Sequence, residues 1–181
     1  AKLAKSLRIP VLYYVSPQIC AWRKGRLRQI ARWVDHMAVI FPFEAPFYAR
    51  HGVNATFVGH PLLESVRPCA DRATTLRKIG LDPAKDAIAL LPGSRHGEVS
   101  RHAPVMRAPA ALLARERDVQ FFCVCANTID VAALSGSLDH PSVPIRVFQA
   151  ERYDAIHAAD LVWAASGTVT LETALLGRPM I

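Results

Sequence analysis

Short apolar runs of strand length recur along this chain, each followed by a segment with helical spacing, and that alternation admits few folds. Ile9–Val15, Met37–Phe43, Val53–Val58, Ala87–Leu91, Val119–Cys125, Ile145–Phe148 and Leu161–Ala165 read as strands, near-continuously apolar as in sheets covered on both faces. Pro10 opens the first of them, where a missing N–H is tolerated. Between the strands, Leu27, Ile30, Ala31 and Val34 recur on one helical face, and residues 1–8, 44–50, 98–115, 128–135, 152–159 and 166–176 read as further helices. Strands alternating with helices give a parallel, doubly wound sheet with right-handed crossovers. The texture changes only over 63–85, where Pro68, Cys69, Asp71 and Arg72 precede a Gly80-Leu81-Asp82-Pro83 stop, the composition of a linker. The expected fold class is α/β, with two Rossmann-like parallel-sheet domains facing each other across a cleft: residues 1–62, a linker at 63–85, and residues 86–181.

Two strand-to-helix junctions carry the chemistry. Leu90-Leu91-Pro92-Gly93-Ser94-Arg95 breaks a strand at a Pro-Gly pair and offers a hydroxyl and a guanidinium before a long helix. In open parallel sheets ligands bind at this end of the strands, and Arg95 can make a planar two-bonded contact with phosphate beside Ser94. A plain turn with a surface arginine is the competing reading. Ala165-Ser166-Gly167-Thr168 stands where the last strand hands over to a helix, so free N–H groups and two hydroxyls can meet a diphosphate. Glu172 lies about a turn further in. It cannot close a capping box, because position 169 is Val169. Its carboxylate is therefore left over, either as an exposed helix glutamate or as an acceptor for ribose hydroxyls. His60, in Gly59-His60-Pro61, either donates to a phosphate, moves a proton or fixes the turn by a hydrogen bond. Neither domain has Gly-x-Gly-x-x-Gly, which disfavours a dinucleotide cofactor.

Lysine and arginine number 22 against 15 acidic residues, and the net charge of +7 suits an anionic partner. The excess crowds into Arg23, Lys24, Arg26, Arg28 and Arg32, flanked by Trp22 and Trp33: a solvated helix face, or a contact for an anionic lipid surface. No aromatic interleaving or DNA-reading spacing accompanies the charges, so nucleic acid is not an expected partner. Cys20, Cys69, Cys123 and Cys125 form no Cys-x-x-Cys, which argues against structural zinc and fits a reducing cytosol. Cys123 and Cys125 point to one face of a buried strand. No apolar run reaches the roughly 18 to 20 residues of a spanning helix. The chain starts inside what reads as a helix and stops at Pro179-Met180-Ile181, which looks like the beginning of a strand, so an internal piece of a longer protein is expected.

Five stretches taken together resemble one family. Tyr14-Val15-Ser16-Pro17-Gln18 with Ala21-Trp22-Arg23, Phe41-Pro42-Phe43-Glu44 with Phe47-Tyr48, Val58-Gly59-His60-Pro61, Leu91-Pro92-Gly93-Ser94-Arg95 with Glu98, and Ala165-Ser166-Gly167-Thr168 with Thr170-Leu171-Glu172 look like the signatures of the lipid A disaccharide synthases, in that family's order. Cys20 stands where the family more often has an aliphatic residue. The resemblance implies a GT-B fold, both domains incomplete here, with the acceptor-side domain first and the nucleotide-sugar domain second, and no metal ion or other cofactor. It implies an inverting glycosyltransferase that moves 2,3-diacylglucosamine from its UDP derivative to the 6-hydroxyl of 2,3-diacylglucosamine 1-phosphate. Arg95, with Ser94, would stabilise the leaving UDP beside Ser166, Gly167 and Thr168; Glu172 would hold the ribose; Gln18, Trp22 and Arg23 would face the acylated sugars, with His60 a further candidate for substrate binding. The general base belongs to a family segment before the first strand here, so the piece alone is expected to be inactive. The implied location is the cytoplasmic face of the inner membrane of a Gram-negative bacterium, held peripherally. A UDP-N-acetylglucosamine epimerase, a peptidoglycan-lipid glycosyltransferase and a non-catalytic nucleotide-binding or membrane-surface module are the alternatives.

Overall fold

A computed structural model describes residues 1–17, 25–149 and 151–181. The chain divides into two compact units, Ala1–Ser65 and Val66–Ile181, so the division falls early in the stretch that reads as a linker.

The first unit is built on three parallel strands in the order β1-β2-β3: β1 (Leu12–Tyr14), β2 (His36–Val39) and β3 (Ala55–Phe57). Among the described residues, four helices accompany them: α1 (Lys2–Ser6), α2 (Gly25–Trp33), α3 (Glu44–Ala49) and α4 (Leu62–Ser65). Leu27 and Ile30 of α2, with Val34 just past its end, pack on Met37 and Val39 of β2 and on Tyr48 of α3. That stripe is the one the periodicity marks, except that Ala31 is exposed. The first strand is shorter than its apolar run and, in this chain, not buried: all three residues of β1 are exposed, and among the described residues it pairs with β2. Its start is pinned by Asp35, whose Oδ2 accepts from the Val11 N–H at 2.8 Å and whose own N–H donates to the Val11 carbonyl.

The second unit carries four parallel strands in the order β6-β5-β4-β7: β4 (Asp86–Leu91), β5 (Val119–Val124), β6 (Ile145–Phe148) and β7 (Leu161–Ala164). In chain order this is 3-2-1-4, so the connections leaving β4 and β7 run in opposite directions and a topological switch point lies between these two strands. The helices are α5 (Arg72–Lys78), α6 (His96–Glu116), α7 (Val131–Leu138), α8 (Arg152–Ala158) and α9 (Thr168–Leu175). Ile88, Leu90, Phe121 and Cys123 cover one face of the sheet under Val99, Ala103 and Ala110 of α6 and Leu134 and Leu138 of α7. Cys123 and Cys125 share this face, as their alternation requires. Beyond β7, Met180 makes a parallel bridge to Val162.

From Val66 on, the stretch that reads as a linker packs with this unit. Asp71 caps α5 by accepting from the Thr74 N–H at 2.9 Å, Leu76 is fully buried, and α5 lies on α8. Arg72 donates to the carbonyls of Pro83 and Lys85 and to Asp160, while the buried Asp154 carboxylate accepts from the N–H groups of Cys69 and Ala70. Those bonds recruit side chains some 85 positions along the chain, which local composition does not reveal.

Candidate functional site

The loop from β4 to α6 is held from three directions. Gly93 has φ +125°, and a Cβ there would fall 2.8 Å from the Cβ of Glu98, so the turn demands glycine twice over. Glu98, in the first turn of α6, reaches back: its Oε2 accepts from the Ser94 N–H at 3.3 Å and its Oε1 from Arg95 Nη1 at 2.6 Å. The hydrogen bond from Arg95 is the main reason that the Glu98 carboxyl titrates below the ordinary range. His102 Nδ1 lies 2.8 Å from the Pro92 carbonyl, and the Thr128 hydroxyl donates to the Ser94 carbonyl. The loop backbone is thus largely committed, whereas the Arg95 side chain is 80% exposed and keeps most of its five donors free of Glu98.

At the end of β7 the Ala165 N–H donates to the Leu91 carbonyl, tying the two junctions together. Gly167 caps α9 with no side-chain hydrogen bond, and the Thr170 N–H and hydroxyl both turn back to its carbonyl. Thr168 and Val169, the first two residues of the helix, have N–H groups with no partner inside it.

Leu91, Ser94, Arg95, Ser166, Gly167, Thr168 and Glu172 all line one cavity of about 360 Å³. It lies at the carboxyl ends of β4 and β7, beside the switch point, with Cys125 and Ala126 after β5 closing another side. Burial pushes the Cys125 thiol up, so it lines the wall as a neutral group.

Glu172 is not the exposed helix glutamate of the one reading: it is 4% exposed, and its carboxylate has partners of its own, Arg152 Nη2 donating to Oε1 at 2.9 Å and the Tyr153 hydroxyl lying 3.5 Å from the same oxygen. Burial raises its pKa from the ordinary carboxylate value, opposed first by the Arg152 charge and then by the Tyr153 hydrogen bond. Arg152 and Tyr153 carry no sequence signal for this, since they meet Glu172 from a separate helix, α8.

His60 belongs to the first unit and fixes its turn: Nδ1 accepts from the Leu62 N–H at 3.1 Å, and its ring packs 5.4 Å from that of Phe41. Glu44, which reads only as the start of a helix, is buried and accepts from the N–H groups of Ile40 and Phe41 at 3.2 and 3.0 Å and from the Ser16 hydroxyl. Gln18, Trp22 and Arg23 lie outside the described residues. Among the described residues, no three His, Cys, Asp or Glu side chains cluster as a metal site would need.

Two parallel sheets in separate units, the second with 3-2-1-4 order, make this an α/β protein of the GT-B, Rossmann-like type. Solved structures agree at the level of fold. The UDP-GlcNAc 2-epimerase from Methanocaldococcus jannaschii superposes over 99% of this chain and 55% of its own with TM-score 0.62 at 12% identity. Anabaena Alr3699/HepE, solved with UDP and glucose, does so over 98% of this chain and 53% of its own with TM-score 0.54 at 17% identity. The sequence goes further: residues 1–181 match the Lipid-A-disaccharide synthetase family, and the chain belongs to it. The lipid-A-disaccharide synthase of Syntrophus aciditrophicus is 50% identical over 183 residues, covering all of this chain and 48% of that protein. That of Geobacter sulfurreducens is 45% identical over 183 residues, covering all of this chain and 47% of that protein. The chain therefore spans about half the length of these curated relatives.

Proposed function

We propose that the chain supplies the UDP-binding site of an inverting glycosyltransferase that transfers 2,3-diacylglucosamine from UDP to the 6-hydroxyl of 2,3-diacylglucosamine 1-phosphate, releasing UDP and lipid A disaccharide phosphate. One observation carries the site: the six junction residues Ser94, Arg95, Ser166, Gly167, Thr168 and Glu172, from two junctions more than 70 positions apart, line a single cavity at the switch point of the second sheet. Family membership and the names of the relatives carry the substrates.

Each part has work suited to it. The exposed guanidinium of Arg95 and the uncapped start of α9 supply donors where negative charge grows on the departing diphosphate, the kind of preorganised stabilisation that lowers such barriers most. Glu98 holds Ser94 and Arg95 in place, so little reorganisation is needed when the charge develops. Glu172 accepts from the ribose. The acylated sugars meet the first unit through Gln18, Trp22, Arg23 and His60, at a membrane surface that the protein reaches peripherally; among the described residues, no helix is long and apolar enough to cross a membrane.

The test pairs calorimetric titration of UDP with an assay of the parent polypeptide for UDP release from UDP-2,3-diacylglucosamine. Saturable UDP binding, with release and disaccharide formation that require the monophosphate acceptor, is the expected result. Donor consumption without need of acceptor, yielding an epimerised sugar, would transfer the protein to the epimerase reading. Absence of UDP binding by the folded protein would end the nucleotide reading.

A further inference from the structure

The nucleotide reading of the cavity gives Arg152 nothing to do. Yet Arg152 lines that cavity, entering it from α8, a helix that contributes none of the six junction residues. Its Nη2 donates to Glu172 Oε1 at 2.9 Å and to the Tyr153 hydroxyl oxygen at 3.0 Å. Its guanidinium carbon sits 4.9 Å from the centre of the Tyr153 ring, within cation–π range. Glu172 Oε1 is thus gripped from one side, while Oε2 takes no hydrogen bond among the described residues.

We propose that Arg152, braced on Tyr153, is a positioning residue that fixes the Glu172 carboxylate with one oxygen presented to the cavity for a ribose hydroxyl, a role that rests on the cavity holding UDP. A glutamate has three side-chain torsions, and an ungripped carboxylate could swing away from its ligand. The cation holds one oxygen, stacking on Tyr153 fixes the plane of the cation, and the second oxygen inherits a defined direction.

The arrangement also governs the charge that the ribose meets. Arg152 and Tyr153 are the charged and titratable groups that α8 turns on Glu172; β7, Leu161-Val162-Trp163-Ala164, adds none, and Arg95 and Glu98 elsewhere on the lining are paired with each other. Burial already pushes the Glu172 pKa up, and Arg152 is the chief opposing influence. Without Arg152 the carboxyl takes up its proton at higher pH than in the parent, and a neutral carboxyl accepts weaker hydrogen bonds than a carboxylate.

The experiment measures affinity for UDP and for its 2′-deoxyribose counterpart by calorimetry, in the parent, Arg152→Met, Arg152→Lys and Glu172→Gln, across a series of pH values from the acid side to neutrality. The ratio of the two affinities is the readout, because titration of the diphosphate and any charge effect on it cancel. The parent should prefer UDP. Arg152→Met should lose about fivefold of that preference, the gap between a charge-assisted and a neutral hydrogen bond, and lose most toward acid pH. Arg152→Lys should recover a large part of it, and Glu172→Gln should show a low ratio that pH does not move. An unchanged ratio in Arg152→Met, with both nucleotides weakened alike, would make Arg152 a diphosphate contact and overturn the proposal. A parent that binds UDP without preferring the ribose would overturn the role of Glu172 itself, and a parent that does not bind UDP would overturn the reading beneath both.

Discussion

Arg95 gives one donor to Glu98 and offers the others to the cavity, so its removal has a cost that the fold itself barely feels. In the parent enzyme, Arg95→Ala should lose roughly 2 to 4 kcal/mol of transition-state stabilisation, the range for one oxyanion-type donor, and Arg95→Lys should restore it only in part because the planar fork is gone. Steady-state kcat/KM measures this, and a loss below about threefold would remove Arg95 from the chemistry. Gly93→Ala acts differently. Its Cβ would sit 2.8 Å from that of Glu98 at φ +125°, so the loop must move, and about 1 to 3 kcal/mol of stability should go with it. Urea midpoints and UDP affinity should fall together; a variant as stable as the parent would show the loop to be pliant. These residues were legible because each junction is contiguous: proline, glycine, hydroxyl and arginine in one turn, or serine, glycine and threonine at one helix start. Arg152 was not, because it faces Glu172 across 20 positions and two helices, and a single sequence carries no trace of that pairing.

The elements followed from their periods. β4 is buried from Ala87 to Leu91 without alternation, as a strand covered on both faces must be, and Leu27, Ile30 and Val34 mark the inner face of α2. β1 shows where that logic stops: the apolar run extends over Ile9–Val15, whereas the strand itself covers only Leu12–Tyr14. Segment 66–85 shows a second limit, since Asp154 and Asp160 bind it from far along the chain. Glu44 joins the two scales. It opens α3, yet its carboxylate gathers the Ser16 hydroxyl after β1 and two N–H groups after β2, locking two strand ends to one helix. Glu44→Ala leaves those donors without an acceptor, at about 1 to 3 kcal/mol for each that water cannot reach. The expected outcome is a lower urea midpoint for the first unit with little change in UDP affinity, whose proposed site lies in the second unit. An unaltered midpoint would mean that solvent replaces the carboxylate.

At the scale of the whole molecule, the charge of +7 and the acylated substrates of the proposed reaction set a common requirement, namely a way to reach an anionic lipid surface, and no helix among the described residues could span one. Arg26, Arg28 and Arg32 stand exposed on α2, and none of them is in a salt bridge among the described residues, while Leu27 and Ile30 on the opposite face are committed to the core. A face of this kind attracts an anionic leaflet by about 1 kcal/mol for each arginine that comes near it, enough together for reversible, peripheral attachment. The double variant Arg26→Glu with Arg28→Glu should therefore sediment less with vesicles containing anionic lipid. Its affinity for free UDP should stay that of the parent, because the proposed nucleotide site lies in the second unit. Raising the salt should imitate the variant, since exposed charges are screened beyond about 8 to 10 Å at physiological ionic strength. The two treatments must also fail to add: once the arginines are reversed, salt has little attraction left to screen. Vesicle binding indifferent to both would make α2 an ordinary solvated surface, whereas binding that salt abolishes and the variant leaves intact would shift the contact to other basic residues.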